Sequence, residues 1–236
     1  MSPSAETWVA ADAPVERVRL DPDDGSWIDV RRGWVRDPGG LFAALRDGVA
    51  WLTSRLFRYD HMVEERRLGS FWRSGRGMPV PHPALAEMHR ALQRMYKVQF
   101  DGFGMMLYRD GRDGQAFHRD TDMKWLDDTV IAIVSLGAQR PWFLRPRTSR
   151  YDHSEGRGAT HDLEPGSGDL LVMGGRCQAE WEHSVPYLLR GSGGGGAGAS
   201  PMAVAPRISI QWRHAARKGK PFVGGSYGAP LTYRRK

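Results

Sequence analysis

Cysteine is almost absent from this chain. Cys177 is the single one among 236 residues, so no intrachain disulfide can form. That usage suits a reducing cytoplasm and excludes a cysteine-rich zinc site. Long apolar runs are missing too: no stretch approaches the roughly 20 residues needed to cross a bilayer. The opening MSPSAETWVAADAP has neither a basic start nor an apolar core run, so no secretory leader is expected. These absences predict a soluble, cytoplasmic protein without a membrane partner, and a monomer is expected. No internal repeat is visible. Low complexity is confined to GSGGGGAGAS (191–200). The segment beyond that tract is too short for a domain, so the tract is expected to be a loop between two strands. Acidic residues are the minority, 27 against 34 Lys and Arg, and the formal net charge is +7. That excess attracts polyanions such as nucleic acid or an acidic membrane surface, without saying which.

What is present fits one domain. The hydrophobic fraction is 40% and nine tryptophans can fill a dense core. Residues 1–15 read as a loose arm. WIDVRRGWV (27–35) alternates as a strand. PGGLFAALRDGVAWL (38–52) and PHPALAEMHRALQRMY (81–96) read as helices, the second with Pro83 in its first turn and Leu85, Met88, Leu92 and Met95 on one face. From residue 101 the texture becomes β-rich: GFGMMLYRDG (102–111), DTVIAIVSLG (128–137), PWFLRPR, GDLLVMGG and RISIQWRH are short strands between tight turns. The fold class predicted is mainly β with flanking helices, a sandwich or small barrel in a single domain over 16–236. Its parts are an N-terminal helical region to about 100, a β core to about 215 and a basic C-terminal tail (216–236).

The stretch FHRDTD (117–122) carries the first chemistry. Residues two apart on a strand point to the same side, so His118 and Asp120 would converge at a strand end. WEHSVP (181–186) supplies a third donor, His183, after a strand and a glycine turn. Two histidines and one carboxylate on one face of a metal leave three positions open, which suits non-haem Fe(II). On RISIQWR, Ile208, Ile210 and Trp212 alternate with Arg207, Ser209, Gln211 and Arg213, so the two arginines share the polar face. Planar guanidinium forks suit the two ends of a dicarboxylate, and Tyr108 could add a hydroxyl. Each piece alone is weak: His-x-Asp is common and alternating arginine is usually a wet face. The order of the pieces is what carries weight. His-Arg-Asp also opens a kinase catalytic loop, but Trp125 stands where that loop needs a metal-binding asparagine.

Taken together, MMLYRDGRDGQAFHRDTD, TVIAIVSLG, FLRPR, GDLLVMGGRCQAEWEHSVP and RISIQWR resemble the AlkB family of Fe(II)- and 2-oxoglutarate-dependent dioxygenases, from roughly Met62 to Arg213. The resemblance implies a double-stranded β-helix (jelly roll) with N-terminal helices and a nucleotide-recognition lid. It implies His118, Asp120 and His183 as iron ligands, Tyr108 and Arg207 at the distal carboxylate of 2-oxoglutarate, and Arg213 near its metal-chelating end, with O2 as the second co-substrate. Met106 and Ser209 stand where the family often has asparagine, which thins the hydrogen bonding around the co-substrate. Asp122 matches an acidic residue beside the substrate base, or is a turn residue. RRLGSFWRSG (66–75) resembles the lid, and Phe71 or Trp72 stacks on a flipped base or belongs to the core. Arg145 and Arg147 face substrate phosphate or solvent. His153 and His161 are not expected to be ligands. The implied activity is oxidative demethylation of N-alkylated bases such as 1-methyladenine and 3-methylcytosine, releasing formaldehyde, succinate and CO2. DNA is the expected partner, with RNA and strandedness left open. A jelly roll that binds nucleic acid without turnover, or one oxidising another substrate, are the alternatives.

Overall fold

A computed structural model describes residues 7–21, 23, 25–58, 61–147, 160–188 and 204–223. The glycine tract, His153 and the basic tail beyond 223 lie outside these residues. The region before residue 100, expected to hold one strand at 27–35, two helices and a lid, holds four strands: β1 (Glu16–Arg19), β2 (Ser26–Arg31), β3 (Leu52–Arg58) and β4 (His61–Arg73). The lid-like segment 66–73 is the second half of β4. Helix α1 runs over Pro38–Gly48, four residues shorter than its apolar spacing predicts. Asp37 caps its start by accepting the Gly40 N–H, and Val49 already has extended backbone, so Leu52 can open β3. Helix α2 spans Pro83–Tyr96. His82 caps it, and Lys97 ends it in the left-handed region.

The remaining strands are β5 (Gly102–Tyr108), β6 (Gln115–His118), β7 (Thr129–Gly137), β8 (Phe143–Pro146), β9 (His161–Asp162), β10 (Leu170–Gly175), β11 (Trp181–Val185) and β12 (Arg207–Ala215). An eight-stranded sheet runs β1-β2-β10-β7-β12-β5-β4-β3, and a four-stranded sheet runs β6-β11-β8-β9. All the strand pairs in both sheets are antiparallel. This is the double-stranded β-helix that the resemblance implies. Strands from both ends of the chain share the larger sheet.

Strand alternation divides the buried residues between two cores. Phe103, Met105, Leu107, Val130, Ala132, Val134, Leu136, Ile208, Ile210 and Trp212 pack on one face of the large sheet with Leu41 and Leu45 of α1 and Leu85, Met88 and Leu92 of α2. The opposite face carries Met106, Tyr108, Ile131, Ile133, Leu171 and Met173, which meet Leu144, Trp181 and Val185 of the small sheet. Because β7 is covered on both faces, TVIAIVSLG reads as a continuous apolar run, not an alternating one.

Part of the expected arm, from residue 7 on, lies among the described residues. Val9 and Ala13 are buried, Val9 bridges to Val35, and the Ala10 N–H donates to the Trp34 carbonyl at 2.8 Å. Short apolar side chains here fill a slot beside Trp34, and that burial outweighs the entropy of fixing the backbone. Among the described residues, no helix is long and apolar enough to cross a membrane.

Candidate active site

The inner face of the large sheet is built in rows. Arg207 lies opposite Tyr108 on one side and Gly137 on the other. The next row is Gly69, Met106, Ser209 and Ser135. Then come Phe71, Gly104, Gln211 and Ile133, and after them Arg213 beside Ile131. Cationic residues therefore stand at both ends of the β12 segment, with neutral and small ones between.

The small sheet faces these rows. His118 ends β6 and is the direct cross-strand partner of His183 on β11, so their rings lie 4.2 Å apart between centroids. Asp120 is not on the strand, as spacing alone suggested. It sits two residues beyond it, at the start of a 3-10 turn over Thr121–Met123. Its N–H donates to Gln178 Oε1 at 2.8 Å, which fixes the turn, and the carboxylate still comes back to 3.8 Å from His118 Nε2. Ligand atoms of His118, Asp120 and His183 all lie within 4.8 Å of one another, the one such group of three among the described residues. His161 is outside it, its ring packed near Trp181.

Protonation in the group suits a cation. The Ala116 carbonyl can only accept, so His118 Nδ1 carries the proton at 2.9 Å and Nε2 keeps its lone pair. Burial lowers the His118 pKa, with Asp120 opposing. Burial and the neighbouring His118 push His183 down to about 3, so both imidazoles are neutral at physiological pH, the state in which they ligate metal. Burial alone would raise the Asp120 carboxyl, but the guanidinium groups of Arg213 and Arg67 hold it below the usual carboxylate range. His183 has no backbone brace: Nδ1 is buried without a partner, and the ring is held by stacking on Trp142 at 5.5 Å. Two neutral nitrogens and one anionic oxygen fit Fe(II), leaving open positions.

The arginines of this face have unmet hydrogen-bonding capacity that suits an anion. Arg207 is fully buried. One Nη donates to Ser135 Oγ at 2.7 Å, while Nε and the other Nη have no partner. Burial lowers its pKa to about 10. The Tyr108 hydroxyl accepts from Arg67 at 3.0 Å, so its own proton is free to donate. Arg140, held by the carbonyls of Asp110, Asp113 and Pro186, lies 5.5 Å from the same ring. Each buried donor without an acceptor costs about 1–3 kcal/mol, so a cluster of them is a place for an anion. Arg213 binds Asp120 at 3.1 Å and reaches Asp122 at 3.5 Å, while its Nε is unpartnered. Ser209 and Met106 face each other between these ends. The Ser209 hydroxyl accepts only a 3.4 Å contact from Gln211, so the hydrogen bonding there is sparse.

A pocket of about 390 Å3 opens beside the group, lined by Phe71, Met106, Asp122, Gln211 and Arg213 among others. Phe71 is 56% exposed, and its ring lies over Gly104, where a Cβ would come within 3.1 Å. Trp72 borders the same pocket but packs differently. Strand alternation turns it to the helix side, stacked on Phe103 at 5.1 Å, with its N–H on the Met78 carbonyl. Arg145 is likewise turned away. It lies on the other side of β8 from buried Leu144, pairs with Glu182 at 2.9 Å and covers the Phe117 ring at 3.8 Å. Arg147 is exposed. Arg67, which sequence reasoning passed over, reaches Tyr108 from β4.

Two nitrogens, one carboxylate and an arginine-lined dianion space already describe a class of oxygenase. The 2OG-Fe(II) oxygenase superfamily matches residues 64–213. The chain belongs to that superfamily. Within it, its similar curated relatives are of AlkB type. DNA oxidative demethylase ALKBH2 of Bos taurus is 29% identical over 136 residues, covering 56% of this chain and 45% of that protein. Alpha-ketoglutarate-dependent dioxygenase alkB homolog 3 of Homo sapiens is 29% identical over 186 residues, covering 73% and 64%. The match thus spans about half to two thirds of those relatives' length. As for the oxygenase fold, a Trichoplax adhaerens prolyl hydroxylase solved with a hypoxia inducible factor peptide superposes with a TM-score of 0.53 at 11% identity, over 79% of this chain and 82% of that one.

Proposed function

We propose that this oxygenase removes alkyl groups oxidatively from nucleic-acid bases, using Fe(II), 2-oxoglutarate and O2. The observation that carries the reading is the convergence of His118, Asp120 and His183 beside a pocket floored by Phe71. The +7 charge and the names of the relatives support a nucleic-acid substrate. Iron and 2-oxoglutarate, when bound, supply the oxidising chemistry. The chain's own part is placement. His118, Asp120 and His183 hold the metal. Arg207 and Tyr108 hold the distal carboxylate, and Arg213 neutralises the chelating end while bracing Asp120. Phe71 offers a stacking surface to an extruded base, and Asp122 at the rim can accept from an exocyclic amine. Burial around the triad keeps water from the reacting alkyl group.

The test is formaldehyde release from oligonucleotides carrying 1-methyladenine or 3-methylcytosine, as single and double strands of DNA and of RNA. Release that depends on 2-oxoglutarate is expected from at least one DNA arm. Binding of the methylated strand without release would mean a nucleic-acid binder. 2-Oxoglutarate turnover with no effect of any oligonucleotide would mean another substrate.

The two lid aromatics are expected to separate cleanly. Phe71→Ala removes a base-stacking face worth about 1–3 kcal/mol, so the KM for the oligonucleotide should rise roughly 5- to 150-fold with the melting temperature unchanged. Trp72→Ala empties a packed site and should lower folding stability by about 3–5 kcal/mol. Denaturant unfolding and steady-state kinetics on the same two proteins check both.

A further inference from the structure

Arg67 sits where a simple structural reading leaves too much unexplained. It lies on β4, next to the edge strand β3, yet its side chain is only 12% exposed. One Nη donates to the Tyr108 hydroxyl at 3.0 Å, the other reaches Glu65 at 3.4 Å, and Nε is buried with no partner. Arg207, the cross-strand neighbour of Tyr108, has two more unpartnered donors. Tyr108 is 1% exposed, so water does not satisfy this group from bulk. Because the hydroxyl oxygen already accepts from Arg67, its proton must point away from Arg67. Every guanidinium around it can only donate, so that proton needs an outside acceptor.

We propose that Arg67 is a positioning residue for 2-oxoglutarate: it aims the Tyr108 hydroxyl and adds its own Nε–H, so that a single carboxylate ties β4 to β5 and β12. The proposal rests on the reading of this space as the 2-oxoglutarate site. It has a consequence for substrate capture. Arg67 and Phe71 are four residues apart on one face of β4, about 13 Å along the strand. Co-substrate binding therefore orders the strand that carries the base-stacking ring, and the two ligands bind with positive coupling.

The experiment is an anaerobic titration of the Fe(II)-loaded protein with 2-oxoglutarate, and separately with pyruvate, which has the same chelating end and no distal carboxylate. Arg67→Met should weaken 2-oxoglutarate about 10- to 100-fold, the worth of one or two charge-assisted hydrogen bonds, and leave pyruvate unchanged. Arg67→Lys keeps the charge but not the fork, and should fall between. Hydrogen exchange supplies a second readout: 2-oxoglutarate, but not pyruvate, should slow amide exchange across residues 66–72 in the unaltered protein and not in Arg67→Met. Equal weakening of both ligands in both variants, or of neither, overturns the proposal, as does unchanged exchange in β4. If the unaltered protein binds no 2-oxoglutarate at all, the site reading itself fails. If it binds 2-oxoglutarate but shows no preference over pyruvate, the distal-carboxylate role is lost and this proposal with it, while the site reading stands.

Discussion

Asp120→Ala is expected to strip the protein of iron and to cut formaldehyde release by more than roughly 100-fold. Loss of an outer partner of a metal ligand alone costs about 10- to 100-fold, and a ligand must cost more. The neighbouring Asp122→Ala is the control. Asp122 touches Arg213 at 3.5 Å but its side chain is 65% exposed, so iron should be retained. Asp120 is 6% exposed and anchors Arg213 at 3.1 Å, so its removal also frees that guanidinium. Metal analysis on the two variants gives opposite results if the turn after β6 presents a ligand at 120 and a rim residue at 122.

Arg207→Met should move binding and stability in opposite directions. The guanidinium is fully buried, its pKa is pressed down to about 10 by desolvation, and two of its donors are unpartnered. Without a ligand it is a cost to the fold. Replacing such a buried charge by an apolar side chain of similar length is often neutral or stabilising by about 1–4 kcal/mol. With 2-oxoglutarate present the same donors make charge-assisted bonds of about 1.5–3 kcal/mol each, so the KM for 2-oxoglutarate should rise roughly 100-fold or more. Thermal melting without ligand, set beside kinetics in 2-oxoglutarate, tests both signs. A large drop in stability without ligand would make Arg207 a structural residue.

Much of this site was legible in the sequence. The reason is that the large sheet is regular. Once RISIQWR is a strand, Ile208, Ile210 and Trp212 must share a face, and Arg207, Ser209, Gln211 and Arg213 the other. His118 and His183 were legible through motif order, although their direct cross-strand pairing depends on a register that no local signal reports. Asp120 does join the two histidines, but a 3-10 turn and Gln178 bring it round instead of strand alternation. Which way some side chains turn was not legible, for one cause. Phe71 and Trp72 are adjacent aromatics, and the face each takes depends on how β4 registers with β5. The face that Arg145 takes on β8 is set in the same way. Arg67 was hidden inside a run of charges, ERR, that reads as a solvated edge. The edge strand β1 is short and polar, and the sheet beside it, not its own pattern, makes it a strand.

The central claim is that His118, Asp120 and His183 form one iron site. Anaerobic loading with Fe(II), removal of free metal and measurement of bound iron per chain test it most directly. One iron per chain in the unaltered protein, and none in His118→Ala, Asp120→Ala or His183→Ala, is the predicted result. Iron retained at full stoichiometry in any two of those variants, with their folds intact, would contradict it.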